Sequence, residues 1–166
     1  TGWRGERLNT QIVVWSADTS EQVRFKVSNL KNEKGKQLDK SVIQLNKVCY
    51  VLANYPYGSS EAICGETPYK NGFLMPDRFD PININNDRFD VPGKTVRPVW
   101  LSCNIPADAE SGIYHGIVEV FSKNAHKVLQ VKIKVQNKTL PGPHDWQYRF
   151  DLWQNPWVIA EYYHVQ

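Results

Sequence analysis

The side chains of this sequence with the widest chemical reach are its 17 carboxylates, four histidines and three cysteines. Cleavage of a glycosidic bond takes two carboxyl groups across the bond, or one with help from the substrate. No acidic residue here stands in such a motif, and Asp is nowhere followed by Glu. His115, His126, His144 and His164 are spread out, with no HExxH pair to suggest a metal site. There is no GxSxG elbow and no phosphate-cradling glycine loop. The residues therefore nominate no catalytic group, metal ligand or cofactor, and they argue against catalysis by this chain alone. The densest oxygen cluster is Asp77, Asp80, Asn83, Asn85, Asp87 and Asp90, which includes the echo Asp77-Arg-Phe-Asp80 and Asp87-Arg-Phe-Asp90. Two readings stand. Hard oxygens suit calcium, although the spacing is not that of an EF-hand. Alternatively, Asx-turns and Asp–Arg pairs simply order the segment.

Aromatic residues make up 12% of the chain. Tyr55, Tyr57, Tyr69 and Phe73 fall in a long irregular stretch, where their faces could stack on pyranose rings. The competing reading has them plug an open end of the fold or meet a neighbouring domain. Trp146, Trp153 and Trp157 read as domain-interface residues.

The elements that must position these groups are strands. Val99, Leu101, Cys103 and Ile105 share one face of an extended chain, with Pro98, Trp100, Ser102 and Asn104 on the other. Pro106–Gly112 is a turn. Tyr114, Gly116, Val118 and Val120 then share a face, with His115 and Glu119 opposite, so 95–122 reads as strand, turn, strand. Further strands are predicted at 9–16, 23–28, 41–52 and 127–136, the last pairing with 113–121 as a hairpin. A parity switch between Leu45 and Val48 predicts a bulge or a change of sheet. Residues 53–94 hold five prolines and four glycines and read as one long loop. Leu140-Pro-Gly-Pro143 ends the strands, and a helix can begin near Val158. The implied fold is all-β, an antiparallel immunoglobulin-like sandwich, with 1–140 as the sandwich and 141–166 as a hinge and the start of a second domain.

Length and charge set the outer bounds. The chain has 166 residues, enough for one core. The formal net charge is +3, and the basic residues are scattered along the sequence, which gives nucleic-acid binding little footing. No apolar run approaches the ~18 residues of a membrane span. Met75 is the single methionine, so Thr1 reads as the start of a processed or trimmed piece. Cys49 and Cys103 fall in strand patterns as small core residues, while Cys64 lies in the long loop.

Four stretches resemble a known family. Met75-Pro-Asp-Arg-Phe-Asp-Pro81, then Val96-Arg-Pro-Val-Trp-Leu101, then Ile105-Pro-Ala-Asp-Ala-Glu-Ser-Gly-Ile-Tyr-His-Gly116 are similar to the N-terminal sandwich domain of glycoside hydrolase family 123. Phe150-Asp-Leu-Trp-Gln-Asn-Pro156, with Ala160, Tyr162 and Tyr163, is similar to the start of the (β/α)8 barrel that follows it. The resemblance implies an exported bacterial enzyme in which the barrel removes β-linked N-acetylgalactosamine. The substrate's acetamido group then acts as nucleophile beside an Asp-Glu pair. That pair is missing from this chain, so no catalytic residue carries over. The implied role is an accessory domain whose partner is the catalytic domain of the same chain. The alternative is an independent carbohydrate-binding or adhesion module whose partner is a glycan.

Overall fold

The computed structural model describes residues 1–53, 73–147 and 156–164. Among these, period-two alternation of apolar residues builds eleven strands: β1 (Gly2–Arg4), β2 (Arg7–Trp15), β3 (Ser20–Val27), β4 (Leu30–Asn32), β5 (Gln37–Leu38), β6 (Ile43–Ala53), β7 (Phe73–Pro81), β8 (Phe89–Val91), β9 (Val96–Asn104), β10 (Gly112–Phe121) and β11 (His126–Thr139). One helix, α1 (Pro156–Tyr163), follows. No helix among the described residues is long and apolar enough to cross a membrane.

The strands form two sheets. The larger runs β1-β11-β10-β3-β8, with β4 and β5 continuing beside β10, and the smaller runs β2-β9-β6-β7. Both sheets feed the core. One apolar cluster joins Val23 and Phe25 of β3 and Val118 of β10 to Leu45 of β6 and Val99 and Leu101 of β9. A second joins Leu30, Tyr114, Ile133 and Val135 to Cys103 and Ile105. The fold is thus the all-β sandwich that the alternation implied, and full burial of each such side chain is worth about 1.5–3 kcal/mol. One pair departs from the antiparallel expectation: β1 runs parallel to β11.

The 95–122 stretch keeps its predicted faces but is not a hairpin. β9 lies in the smaller sheet and β10 in the larger, so Ile105–Ser111 carries the chain across the sandwich. The Pro106–Ala109 turn closes with Ala109 N–H on the Pro106 carbonyl at 3.1 Å. The buried Tyr114 then donates its hydroxyl to the Glu110 carbonyl at 2.9 Å. A Tyr hydroxyl reaching back to a backbone carbonyl a few residues upstream is the tyrosine-corner device of sandwich domains. By contrast, β10 and β11 pair without a break from Gly112↔Val135 to Phe121↔His126, as expected of a hairpin.

The long loop also needs correction, because its second half contains β7 and β8. Pro76 and Pro81 read as strand breakers, yet β7 is an edge strand, where a missing N–H need not cost a ladder bond. The parity switch between Leu45 and Val48 marks no bulge in β6, which pairs with β9 without a shift over Ile43–Lys47; the irregularity lies in the pairing with β7, between Cys49 and Tyr50, and its extra residue is Asp77 of β7. A second adjustment sits where β3 gives way to β4. There Ile117 N–H donates to Ser28 Oγ at 2.9 Å and Ser28 N–H donates to the Ile117 carbonyl at 3.0 Å, so a side chain stands in for one ladder group. The adjacent Gly116 is required by space: a Cβ there would lie 2.4 Å from Leu30 Cδ2.

Candidate functional site

The outer face of the smaller sheet is poor in charge and rich in aromatic surface. Outward positions of β2 are Arg7, Asn9, Gln11, Val13 and Trp15, and those of β9 are Val96, Pro98, Trp100, Ser102 and Asn104. Arg7 is the one formal charge among these ten. Trp100 sits at the centre. Its Nε1 donates to Asn9 Oδ1 at 3.1 Å, and Ser102 Oγ donates to the same oxygen at 2.7 Å. The Phe79 ring leans on Trp100, with centroids 5.4 Å apart. Beside them, the Arg7 guanidinium donates to Gln44 Oε1, and Gln44 Nε2 donates to Asn46 Oδ1 at 3.5 Å. Ser102 and Asn46 are buried although they belong to the outward side. Around this polar seam Val13, Trp15, Phe79 and Val96 stand exposed. Aromatic surface with little charge is the composition of a protein contact.

The twin DRFD segments do separate jobs. In β7, Arg78 holds Asp80 with two hydrogen bonds, Nε to Oδ1 at 2.9 Å and Nη2 to Oδ2 at 3.1 Å. Cys49 Sγ donates to Asp80 Oδ2 at 3.0 Å. The Arg78 bonds, then the Cys49 bond, hold the Asp80 carboxyl below its usual range. Burial, with the neighbouring Asp80 second, pushes the Cys49 thiol up. In the second segment Asp87 Oδ2 accepts from Asn83 N–H and Asp90 Oδ1 accepts from Gln22 N–H, each at 2.8 Å. Asn83 Oδ1 accepts from Asn85 N–H at 3.0 Å, an Asx-turn. These carboxylates turn to different partners, in an Asp–Arg pair and in bonds to backbone N–H groups, and among the described residues no three acidic, His or Cys side chains gather at one point. Cys103 is buried in the core, and burial alone pushes its thiol up to about 11. A small buried core residue is what the strand pattern suggested for it.

Tyr55, Tyr57, Tyr69, Trp153 and Cys64 lie outside the described residues. Phe73 opens β7 opposite Ala53. Trp146 follows a 3-10 turn at Pro143–Asp145, and its Nε1 donates to the Pro141 carbonyl at 3.0 Å. Trp157 lies in α1 and is 83% exposed. Among the described residues, Phe73 and the Leu140 end of the chain lie towards opposite ends of the sandwich. The Ala53–Phe73 pair marks one end of the smaller sheet. Ile43, at the start of β6, pairs with Cys103 at the other end, where Gly5 N–H binds the Ile105 carbonyl and Leu140 N–H binds the Arg4 carbonyl. The eleven residues of β6 separate those ends by roughly 30 Å at a strand's rise. Between β2 and β11 the sheets leave an open cleft of about 480 Å³ whose lining includes Leu8, Cys103, Val131 and Ile133. Apolar Leu101, Cys103 and Ile133 share its lining with polar Asn9, Thr10 and Gln130, and Lys132 is the one charged side chain there.

Residues 1–122 match the family model described as the glycoside hydrolase 123 N-terminal domain. The chain belongs to this family. Its structure is also similar to that of a family 123 glycoside hydrolase from Clostridium perfringens, solved for the details of glycolipid glycan hydrolysis. The TM-score is 0.81 at 25% identity, over 99% of this chain and 27% of that one. The chain therefore spans about a quarter of that hydrolase's length. A weaker likeness, to the CooA pilin subunit of enterotoxigenic Escherichia coli, has a TM-score of 0.29 at 12% identity over 82% of this chain and 80% of that one, and carries no argument. No curated protein matches the chain. Membership of the family thus rests on the match over residues 1–122, a span that includes β9 and the crossing to β10.

Proposed function

We propose that this family-123 sandwich is a non-catalytic accessory domain of a multi-domain glycoside hydrolase acting on N-acetylgalactosamine-containing glycans. In this reading 1–140 is the sandwich and 141–166 is the hinge and first element of a (β/α)8 catalytic domain, and the hydrolase is exported. The observation that carries it is the structural likeness over 99% of this chain to 27% of a hydrolase of the same family. The aromatic, charge-poor outer face around Trp100 supports a packing role, and Trp146 and Trp157 are assigned to the same contact. The glycolipid glycan named for the clostridial enzyme makes a glycan of that kind the substrate class to try first.

The test compares the intact hydrolase, the barrel without 1–140, and the present chain. An aryl β-N-acetylgalactosaminide reports activity and a thermal melt reports stability. The expected result is activity in the intact enzyme, none in the present chain, and a barrel that melts lower when the sandwich is removed. An unchanged melt and rate for the barrel alone would overturn the accessory role. Calorimetric titration of the present chain with the same glycans tests the module reading. Micromolar binding abolished by Tyr55→Ala or Tyr57→Ala would replace the accessory role with carbohydrate recognition.

A further inference from the structure

The basic residues that look scattered in the sequence are gathered by the fold. On the larger sheet, the face turned away from the core takes the odd positions of β10 and their partners. Lys31 of β4, His115 of β10 and Lys132 of β11 form one cross-strand row. Lys26, Glu119 and Val128 form a second, and Arg24, Phe121 and His126 a third. Lys134 stands opposite Ile113, and the Lys138 ammonium lies 5.4 Å from the Trp3 ring. Six cations thus share one face, and the carboxylates of Glu119 and Asp90 among them are both engaged. Glu119 Oε2 lies 2.8 Å from His126 Nε2, and Asp90 holds the Gln22 N–H. Arg24 and Lys26 instead lie over the Phe121 ring, at 4.7 and 5.3 Å from its centroid. None of the six cations pairs with a carboxylate among the described residues. Lys31 and Lys132 flank His115 two strand spacings apart, roughly 10 Å, an arrangement of like charges that gains from an anionic partner.

We infer that this face lies against a bilayer surface carrying anionic headgroups. Charge complementarity asks for an acidic partner, and one further feature favours a bilayer over a soluble polyanion. Val128 and Ile117 are exposed between the cations, where apolar groups can enter the headgroup layer but gain nothing from a hydrated chain. The inference is independent of the accessory role and concerns the opposite sheet.

The test is co-sedimentation of the present chain with vesicles of phosphatidylserine and phosphatidylcholine, with pure phosphatidylcholine as reference. Each basic residue near an anionic surface is worth about fivefold in binding. Lys26→Gln/Lys132→Gln/Lys134→Gln should therefore weaken binding about 100-fold by the same rule. Lys34→Gln/Lys36→Gln/Lys94→Gln, off this face, should leave it nearly unchanged. Raising the ionic strength to about 0.5 M should release the wild type through screening. Circular dichroism of both triple variants checks that they fold. Equal binding to neutral vesicles, or equal loss in both triple variants, would overturn the inference. So would failure to sediment with anionic vesicles while binding a soluble sulfated polysaccharide.

Discussion

Tyr114→Phe isolates the bond that anchors the crossing between the two sheets. The ring is fully buried and Phe keeps its shape, so packing with Leu30 and Ile133 is retained. What is lost is the 2.9 Å hydrogen bond to the Glu110 carbonyl, which leaves a part-buried acceptor without its donor. A loss of that kind costs about 1–2 kcal/mol. With a urea dependence of about 2 kcal/mol per molar, the unfolding midpoint should fall by about 0.5–1 M at an unchanged slope. Glu110→Ala is the internal control. The Glu110 carboxylate meets Lys34 at 3.2 Å and Lys36 at 3.8 Å, but all three side chains are more than a third exposed. Such pairs are worth at most about 1 kcal/mol and often much less. The tyrosine uses the backbone carbonyl, which Glu110→Ala keeps. If Tyr114→Phe leaves the midpoint in place, the corner does not hold the crossing. If Glu110→Ala costs as much as Tyr114→Phe, the carboxylate is the anchor and the reasoning fails.

Cys103 gives a pH signature. Its folded pKa is raised from 9.0 to about 11, so its contribution is intact below about pH 9 and is lost as the pH climbs through 11. A single such group gives a slope of at most about 1.4 kcal/mol per pH unit, and Cys103→Ala should flatten the decline between pH 9 and 11 while lowering stability at pH 7. An identical alkaline limb in denaturant titrations of the variant would assign the decline elsewhere. Gly116→Ala should overpack the β3–β4 junction, because the new Cβ meets Leu30 Cδ2 at 2.4 Å and the Asn29 carbonyl at 3.2 Å. About 1–3 kcal/mol is the usual cost, or several degrees in a thermal melt, and an unchanged melt would show that Leu30 yields freely.

Local alternation was readable directly from the sequence. Val99, Leu101, Cys103 and Ile105 all point into the core, because period two is a property of the strand itself. Sheet membership was not, since a hairpin and a crossing both need turn residues and Pro106–Gly112 satisfies either. β7 escaped because prolines mark breaks in a central strand but are tolerated at an edge. The DRFD echo suggested one shared use, yet Phe79 projects outward onto Trp100 while Phe89 stacks on Phe25, 6.3 Å away in the core. The basic face had no local trace at all. Lys31 and Lys132 are a hundred residues apart in sequence and become neighbours through His115. Outward Trp15, Val96 and Trp100 come to one surface only through the pairing of β2 with β9, which no local pattern shows.

The parallel pairing of β1 with β11 bears on how the sandwich carries load. Gly2 stands opposite Val135 and Arg4 opposite Thr139, and Leu140 N–H closes on the Arg4 carbonyl at 2.7 Å. The entering and leaving strands therefore point the same way, side by side. Tension between tethers at the two ends would slide one strand along the other, so their shared hydrogen bonds resist together. A hairpin pulled from its open end instead gives way one bond at a time. The sandwich is mechanically a lap joint, stiff along the line joining its two ends and weakest where β1 could be peeled sideways.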